Sequence, residues 1–265
     1  MTTQERDIPT AIQICKEAGD LALQYFRDRA SLVVDSKGHQ DWVTEADKNV
    51  EHLIRKRLGE AWPEDGIVGE EHGNSDGTSG FRWVIDPIDG TANFVNGLPV
   101  WCVILAGVSG GKTRIGIIHD PVHDETFVAT RGGGATLNGD AITVATDVSI
   151  DSGTISVGYS NRREAANVVP VIADLLRHGA RFHRNASGGL TLAYVAAGRL
   201  LGYVEEHMNA WDCLAGQLLI REAGGTVEDQ DADRMISEGG RVVVGPPRVF
   251  PELVAIADRH WPHEA

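Results

Sequence analysis

The stretch Trp83–Phe94 reads WVIDPIDGTANF and decides which fold the chain can adopt. It begins like a buried strand, and Asp86 and Asp89 then follow three residues apart with Pro87 between them. Strand ends fix the direction of side chains while staying open to solvent, so enzymes often place ligands there. Two carboxylates this close repel each other in an empty site and raise one pKa, and a divalent cation removes that cost. The stretch therefore predicts a cation site at the end of a strand.

Gly90 and Thr91 add a second kind of site. A glycine followed by a hydroxyl residue at a helix start presents free backbone N–H groups to an anion, although a simple capped turn is the structural alternative. Ligand sets made only of oxygen favour a hard cation such as Mg2+ over zinc. A cation site beside an anion site predicts a phosphate ester as the ligand.

The 265-residue chain is long enough to bury a sizeable core, as one large domain or two intimate subdomains. Its 24 basic and 38 acidic side chains give a net charge of −14, which argues against a general nucleic-acid or membrane surface. Acid clusters that hold cations would account for part of this charge, and simple solubility is the alternative. We predict no nucleic-acid and no membrane partner.

The cysteines and the apolar runs predict a cytoplasmic protein. Cys15, Cys102 and Cys213 are far apart and lack CxxC spacing, which is typical of buried free thiols in a reducing compartment. The N-terminal stretch has no basic segment followed by an apolar one, and the longest apolar run, WCVILAGV at 101–108, is too short to span a bilayer.

Hydrophobic periodicity predicts a mixed α+β chain. The first half is predicted to contain an amphipathic helix over Thr10–Arg27, a helix that follows a cap at Thr44 and ends at Gly59 and Pro63, buried strands at 66–71 and 81–89, and an antiparallel meander from Trp101 to Asn138. The second half is predicted to contain strands at 154–160, 202–206 and 241–246, and helices at 165–179, 187–201, Asn209–Ala223 and Val249–Arg259. We expect two subdomains, 1–145 and 146–265, with a tight seam near Asp140–Ser152.

Five segments together resemble the inositol monophosphatase family, Mg2+-dependent and lithium-sensitive phosphatases of small sugar-like phosphates. They are WVIDPIDGTANFVNGLP (83–99), GEEHG (69–73), NAWDCLAGQLLIREAGG (209–225), DWVTEAD (41–47) and ATLNG (135–139). The resemblance implies a layered α-β-α-β-α sandwich of the sugar phosphatase type. It also implies a homodimer.

The resemblance further implies two or three Mg2+ ions. Glu70, Asp86 and the backbone carbonyl of Ile88 would bind one ion, Asp86, Asp89 and Asp212 a second, and a weaker third would also use Glu70. Glu71 is expected to support Glu70 rather than to be a ligand.

Three further roles follow from the same resemblance. The N–H groups of Gly90 and Thr91 would bind the phosphate, and Asp47 and Thr91 would orient and deprotonate the attacking water. Asp89 and Glu205 would meet substrate hydroxyl groups. A purely structural role for Asp47 at a helix N-terminus stays open. So does a solvated position for Glu205 and its neighbour Glu206.

The chain departs from the family pattern at ASGGLT, residues 186–191, where many relatives have a GSAALD-like sequence, so that Thr191 replaces a common aspartate. The small residues Ala92 and Asn93 resemble inositol and general sugar phosphatases more than the nucleotide-phosphate branch. We expect hydrolysis of a phosphate monoester, with inositol 1-phosphate as the first candidate. Histidinol phosphate is the alternative, and so is fructose 1,6-bisphosphate if Arg181, His183 and Arg184 bind a second phosphate. A different class of function is binding to the transcription machinery.

Three other signals predict no chemistry. SGGKTR at 109–114 lacks the P-loop glycine and a following helix, so it is predicted to be a hairpin turn. His119, Asp120, His123 and Asp124 surround Pro121, which prevents a helix with two histidines on one face, and are predicted to form a solvated loop. Cys213 is predicted to be a core thiol.

Overall fold

The computed structural model describes residues 6–29, 34–38, 41–160 and 162–262. Residues 1–5, which begin the N-terminal stretch considered above, lie outside the described residues. No helix in the described ranges is long and apolar enough to cross a membrane.

Two amphipathic helices open the chain, α1 at Ile8–Arg27 and α2 at Glu45–Ala61. Asp7 caps α1 by accepting the backbone N–H of Thr10 at 3.0 Å. Helix α2 continues through Gly59, because a glycine inside a helix costs only about 1 kcal/mol, and it ends just before Pro63. Both predicted helices are confirmed, with the end of α2 set by Pro63 rather than by Gly59.

The strands of the first half form a hairpin and a large sheet. The hairpin pairs β1 with β2, and the eight-stranded sheet has the order β10-β9-β8-β7-β6-β5-β3-β4. The bounds are β1 Val34–Gly38, β2 Asp41–Thr44, β3 Gly66–Gly69, β4 Gly73–Ser75, β5 Phe81–Asp89, β6 Cys102–Ser109, β7 Lys112–Asp120, β8 Glu125–Thr130, β9 Gly134–Leu137 and β10 Asp140–Ala141. Strands β6 to β9 are antiparallel neighbours, which confirms the predicted meander.

The parallel pairing of β3 with β5 positions the acidic residues. Gly69 pairs with Ile85, so Glu70 and Asp86 both follow immediately at the same end of the sheet. Parallel strands always bring their carboxyl ends to one edge. Two acidic sets that are distant in sequence therefore meet in space.

In the described residues, the strands of the second half form a five-stranded sheet. Six further helices lie after β5 in the chain. The sheet order is β12-β11-β13-β15-β14, with β11 Thr154–Val157, β12 Arg181–His183, β13 Gly202–Met208, β14 Thr226–Val227 and β15 Gly240–Gly245. The helices are α3 Thr91–Asn96, α4 Ala165–Arg177, α5 Gly188–Ala196, α6 Ala210–Glu222, α7 Ala232–Glu238 and α8 Phe250–His260.

Three hydrophobic clusters define the layers. Helices α1 and α2 cover one face of the large sheet, α5 and α6 lie between the two sheets, and α4 and α8 cover the outer face of the small sheet. At Gly116 a Cβ atom would lie 2.7 Å from the carbonyl oxygen of Ala215, so this glycine lets α6 approach β7 closely. The predicted α-β-α-β-α sandwich is confirmed. The division at residue 145 stays a prediction.

The predicted solvated loop at His119 and Asp120 is wrong. Both residues end β7 and are buried, with exposed fractions of 3% and 0%. Asp120 Oδ1 accepts hydrogen bonds from the backbone N–H groups of Val122 and His123. Its Oδ2 forms a hydrogen bond with His123 Nδ1 at 2.7 Å. These bonds replace the solvent contacts that the sequence suggested, and the side chain instead shapes the turn after Pro121.

Two further structural expectations are confirmed. SGGKTR forms the turn between β6 and β7, with positive φ at Gly110 and Gly111. The cysteines Cys15, Cys102 and Cys213 are buried and free.

Candidate active site

Three aspartates converge where β5 ends and α6 begins. Asp86, Asp89 and Asp212 each place a carboxylate oxygen within 4.8 Å of the others, in a group that could hold a metal ion. Asp86 and Asp89 are buried and Asp212 is partly exposed. The donor set is made only of oxygen, which fits a hard divalent cation.

A bulge in β5 turns Asp86 and Asp89 to the same side. Residues three apart on a regular strand point to opposite faces. Here Asp86 pairs with Ile104 and Asp89 with Cys102, so one strand has an extra residue at Pro87, which cannot donate to the ladder. The bulge is the local reason that both carboxylates reach one point.

Ile88 lies inside this bulge and links the aspartates to α3. Its N–H donates to Asp86 Oδ1 at 3.0 Å, and its carbonyl oxygen accepts the Thr91 hydroxyl at 3.1 Å. Gly90 caps α3 with φ of +97°, and a Cβ atom there would lie 3.0 Å from the carbonyl oxygen of Val100. Glycine is the residue that fits this left-handed position.

Asp89 is fixed by the N-terminus of α5. Its Oδ2 accepts the Ser187 hydroxyl at 2.5 Å and the Gly189 N–H at 2.7 Å, while Oδ1 accepts the Gly188 N–H at 3.2 Å. Cys102 Sγ lies 3.5 Å from Oδ2. Sequence reasoning missed Ser187 as a partner, although the run of small residues in ASGGLT was a signal that two backbones approach there.

Asp212 lies in the first turn of α6. Its Oδ2 accepts the backbone N–H of Asn209 at 3.2 Å, which forms a capping box with the helix start. The helix therefore directs this carboxylate at the end of β5.

The three carboxylates repel one another strongly. Burial and the charges of Glu70, Asp89 and Asp212 raise the pKa of Asp86 well above its ordinary value. Burial and the charge of Asp89 raise the pKa of Asp212 to about 7. Burial also raises the pKa of Asp89, although its hydrogen bonds with Ser187 and Gly189 oppose the shift. A bound cation would favour all three charged forms.

Asp47 performs a structural role and also faces Thr91. Its Oδ2 accepts the N–H and the hydroxyl of Thr44 at 2.8 and 2.6 Å, completing a capping box on α2. Its Oδ1 accepts the Thr91 hydroxyl at 3.3 Å. Burial raises the pKa of Asp47 to about 6. The two roles left open by the sequence are compatible, because each uses a different oxygen.

Glu51 holds the loop that carries Glu70, and sequence reasoning missed it. This fully buried carboxylate accepts the N–H of Glu71 at 2.7 Å and of His72 at 3.2 Å, and pairs with Arg55 Nε at 2.6 Å. A Cβ atom at Gly69 would lie 2.1 Å from Glu51 Oε1, so the glycine makes room for it. A glutamate on the apolar face of a predicted helix was the available signal.

We expect Glu51→Gln to lower the free energy of unfolding by about 3 kcal/mol, because it leaves Arg55 without its buried counter-ion. It should also weaken Mg2+ binding at the acidic cluster several-fold, because the Glu70 loop loses two charge-assisted hydrogen bonds. Chemical denaturation and a calorimetric Mg2+ titration would measure both effects. Glu60→Gln is the control on the same helix, where the side chain is 58% exposed. Equal behaviour of the two variants would count against this role.

A cavity of about 260 Å³ opens beside the aspartates. Its lining includes Glu70, Asp89 and Asp212 from the acidic sets, and Glu205, Tyr203, Thr191, Arg162 and Arg184 from the second half. Gly90, Thr91 and Asp47 do not line this cavity. Thr91 is hydrogen-bonded to the Ile88 carbonyl beside the cluster, and Asp47 is hydrogen-bonded to Thr91.

The position of Glu205 resolves two open alternatives. Glu205 is 8% exposed and hydrogen-bonded to the Tyr203 hydroxyl, so the solvated position is wrong for it. Glu206 points elsewhere and accepts Asn167 Nδ2 at 3.0 Å. Burial raises the pKa of Glu205 to about 8, and the charge of Asp212 adds to the shift.

The segment ASGGLT at 186–191 forms a small hydrogen-bond network with the residue just before it. The Thr191 hydroxyl lies 2.7 Å from Asn185 Oδ1 and 2.7 Å from the Ser187 carbonyl oxygen. Of the basic residues considered for a second phosphate, Arg184 lines the cavity, whereas Arg181 and His183 do not.

The raised carboxyl pKa values predict how stability depends on pH. Asp47, Glu205 and Asp212 bind protons more tightly in the folded state than in the unfolded state, with pKa values of about 6, 8 and 7. Their stabilising protonation is complete below pH 4 and is lost as pH rises through 6 to 8. We expect Tm of the chelator-treated protein to fall by roughly 5 °C or more between pH 5.5 and 8.5. Excess Mg2+ should reduce the fall, and a rise in Tm over this interval without metal would contradict the expectation.

Comparisons with known proteins agree with one another. The family model described as the inositol monophosphatase family matches residues 3–261. The chain is 36% identical over 248 residues to Nus factor SuhB of Escherichia coli strain K12, covering 92% of this chain and 93% of that protein. Two solved structures are similar along almost their whole length. The extragenic suppressor protein SuhB from Bartonella henselae has a TM-score of 0.89 at 31% identity, covering 94% of this chain and 97% of that one. The Thermotoga maritima IMPase has a TM-score of 0.84 at 29% identity, covering 95% and 96%.

Proposed function

Because the chain belongs to the inositol monophosphatase family, we propose that it is a Mg2+-dependent phosphatase that hydrolyses the phosphate monoester of a small polyol, with inositol 1-phosphate as the first substrate. The observation that carries this proposal is the meeting of Asp86, Asp89 and Asp212 beside a cavity with polar walls. Three carboxylates this close, two of them buried, are costly without a cation, and a cation next to a ligand cavity suits a phosphate group.

Five groups would hold the cations: Glu70, Asp86, the Ile88 carbonyl, Asp89 and Asp212. When bound, two or three Mg2+ ions would neutralise charge on the phosphoryl oxygens and on the leaving alkoxide, and would acidify water. The carboxylates of the chain supply the negative charge that fixes the ions and the direction from which they act.

The remaining residues would bind and orient the reactants. The N–H groups of Gly90 and Thr91 would bind a phosphate oxygen. The Thr91 hydroxyl, hydrogen-bonded to Asp47, would orient the attacking water. Asp47 would accept a proton from that water as the new P–O bond forms and the ester P–O bond breaks, and the leaving alkoxide would take a proton from a second water. With a pKa of about 6, Asp47 is mostly ionised at neutral pH, as a proton acceptor must be. Asp89 and Glu205 would bind substrate hydroxyl groups.

The substrate is tested by phosphate release from inositol 1-phosphate, histidinol phosphate and fructose 1,6-bisphosphate, with Mg2+ present. We expect kcat/KM for inositol 1-phosphate to exceed the others by roughly a hundredfold, equivalent to about 2.7 kcal/mol in transition-state binding. Burial and the charge of Asp212 raise the pKa of Glu205 in the metal-free protein, which favours a hydroxyl partner over an ammonium group and thus the polyol over histidinol phosphate. Preference for histidinol phosphate would overturn the substrate, and no turnover of any ester would overturn the activity.

A second candidate function is binding to the transcription machinery. It is supported by the name Nus factor carried by the Escherichia coli relative, which matches nearly the whole chain. Pull-down with an Asp86→Asn variant tests it independently of turnover. A stable complex with transcription proteins would support this function, and the absence of any such partner would count against it. A homodimer, lithium inhibition and a cytoplasmic location stay predictions.

A further inference from the structure

A second cavity, of about 370 Å³, lies along α6 and extends from Leu214 to Arg221 near the end of the helix. Its walls come from the β6–β7 turn, the end of β8, this part of α6 and the segment between β14 and α7. Asp212 lies in the first turn of α6 and Arg221 in the last, about 14 Å apart along the axis at 1.5 Å per residue. This distal cavity is separate from the candidate active site.

Three exposed cations surround the distal cavity: Lys112, Arg131 and Arg221. Arg131 Nε donates to the Thr113 carbonyl at 2.8 Å, and within the described ranges neither Arg131 nor Lys112 forms an ion pair. Arg221 is 4.0 Å from Asp229, whose side chain is fully exposed. Burial and the nearby charges of Arg221 and Arg114 lower the pKa of Arg131, although the charges of Glu222 and Asp229 oppose the shift. The rim lacks a strongly bound counter-ion.

Two of the three acidic residues in the lining are held by protein groups, and the third, Asp229, is exposed and lies 4.0 Å from Arg221. Glu228 forms a buried ion pair with Arg241, and Asp231 caps α7 by accepting the N–H groups of Asp233 and Arg234 at 2.9 Å each. Arg241 therefore offsets the charge of Glu228, and the α7 N-terminus fixes the direction of the Asp231 carboxylate. The cationic side chains remain the groups available to a ligand.

The floor of the distal cavity is polar and buried. Thr113 and Gln217 are 6% and 8% exposed, and both line the cavity. Gln217 Nε2 donates to Gln230 Oε1 at 2.9 Å, which fixes the direction of the Gln217 amide. Among the residues the structure describes, the Thr113 hydroxyl and Gln217 Oε1 have no protein hydrogen-bond partner, and neither atom is fully buried, so both remain accessible from the cavity. A ligand or water in the cavity can therefore hydrogen-bond to both atoms.

We propose that the distal cavity binds a small molecule that carries both a phosphate group and a hydroxyl group. The guanidinium groups of Arg131 and Arg221 bind the phosphate through charge-assisted hydrogen bonds, with Lys112 adding charge. Gln217 Oε1 accepts the ligand's hydroxyl group, which an anion without a hydrogen-bond donor cannot supply. The site is distinct from the candidate active site and does not depend on its chemistry.

The test is an NMR titration of the full chain with glycerol 3-phosphate and with sulfate, which has no hydrogen-bond donor at neutral pH, in the presence of Mg2+. The Asp86→Asn variant serves as background so that the ester is not consumed. We expect amide shifts at Thr113, Gln217 and Arg221, and a Kd for glycerol 3-phosphate several-fold lower than for sulfate. These signals report on the distal cavity whether or not the chain is a phosphatase.

The decisive variants are Arg131→Gln and Arg221→Gln, combined in one chain, because they remove charge while keeping side-chain length. We expect Kd measured at the distal amides to rise at least tenfold in the double variant. Arg248→Gln, at an exposed position outside the cavity, should leave Kd unchanged. Shifts confined to Gly90 and Thr91, or an unchanged Kd in the double variant, would overturn the proposal. Equal Kd values for the two probes would overturn the role given to Gln217.

Discussion

Asp86→Asn should abolish nearly all phosphatase activity while making the metal-free protein more stable. Asp86 is buried beside the charges of Glu70, Asp89 and Asp212, and both effects raise its pKa well above the ordinary range. The substitution removes one charge that both proposed ions need, so we expect kcat/KM to fall by roughly a thousandfold, or about 4 kcal/mol. It also removes the repulsion, and the new amide can keep the 3.0 Å bond from Ile88 N–H and donate to Asp212.

Phosphate release and thermal unfolding in chelator measure the two effects of Asp86→Asn. Asp65→Asn is the matched control, because Asp65 is also a buried aspartate but pairs with Arg6 and accepts Trp83 Nε1 at 3.0 Å. It should lose stability and keep activity at temperatures where it is folded. Full activity of Asp86→Asn at saturating Mg2+ would exclude Asp86 as a metal ligand. A lower Tm without metal would show that repulsion does not dominate the site.

Asp47→Asn should lower kcat by roughly a hundredfold, with little change in the Mg2+ requirement. The amide oxygen is expected to stay on the Thr44 N–H, since that donor completes the capping box. The amide nitrogen then faces the Thr91 hydroxyl and cannot accept its proton. The variant thus keeps the helix cap and loses the proton acceptor.

Activity as a function of Mg2+ concentration separates the two roles of Asp47. Thr91→Val should cause a comparable loss, and the double variant should be no worse than the more impaired single variant, because the two groups act as one unit. Asp231→Asn, which alters a cap on α7 away from the site, should keep kcat. Loss of Mg2+ affinity without loss of kcat would refute the role of Asp47 in activating water.

The acidic residues could be predicted from sequence because the ends of strands and helices are marked by the residues immediately around them. The apolar run before Asp86 and the helical start near Asp212 each predict where a side chain emerges. The close approach of these residues, by contrast, depends on α6 packing between two sheets, which no local pattern encodes. The family resemblance supplied that step, and the geometry of the cluster agrees with it.

Partners that act from a distance were harder to predict. Ser187 caps α5 and looks ordinary in sequence, but its hydroxyl fixes Asp89 where α5 contacts β5. Glu51 lies within α2, and it holds the Glu70 loop only because α2 packs beside that loop. His119 and Asp120 show the opposite error, since a proline after two polar residues suggests a solvated turn. Here the α1 helix covers that end of β7, with Gly19 directly against His119, and burial outweighs the local signal.

The carboxylates at the end of β5 and the start of α6 come from opposite halves of the chain, and this has a consequence for folding kinetics. A cation that bridges Asp89 and Asp212 closes a long loop, whose entropy must be lost before the bond can form. Such long-range contacts form late in folding and break early in unfolding. At one hundred times its Kd the ion would stabilise the native state by about 2.7 kcal/mol, appearing mainly as a slower unfolding rate. The ion would therefore link the first turn of α6 to the end of β5, and its removal should speed hydrogen exchange of the backbone amides at both of these places together.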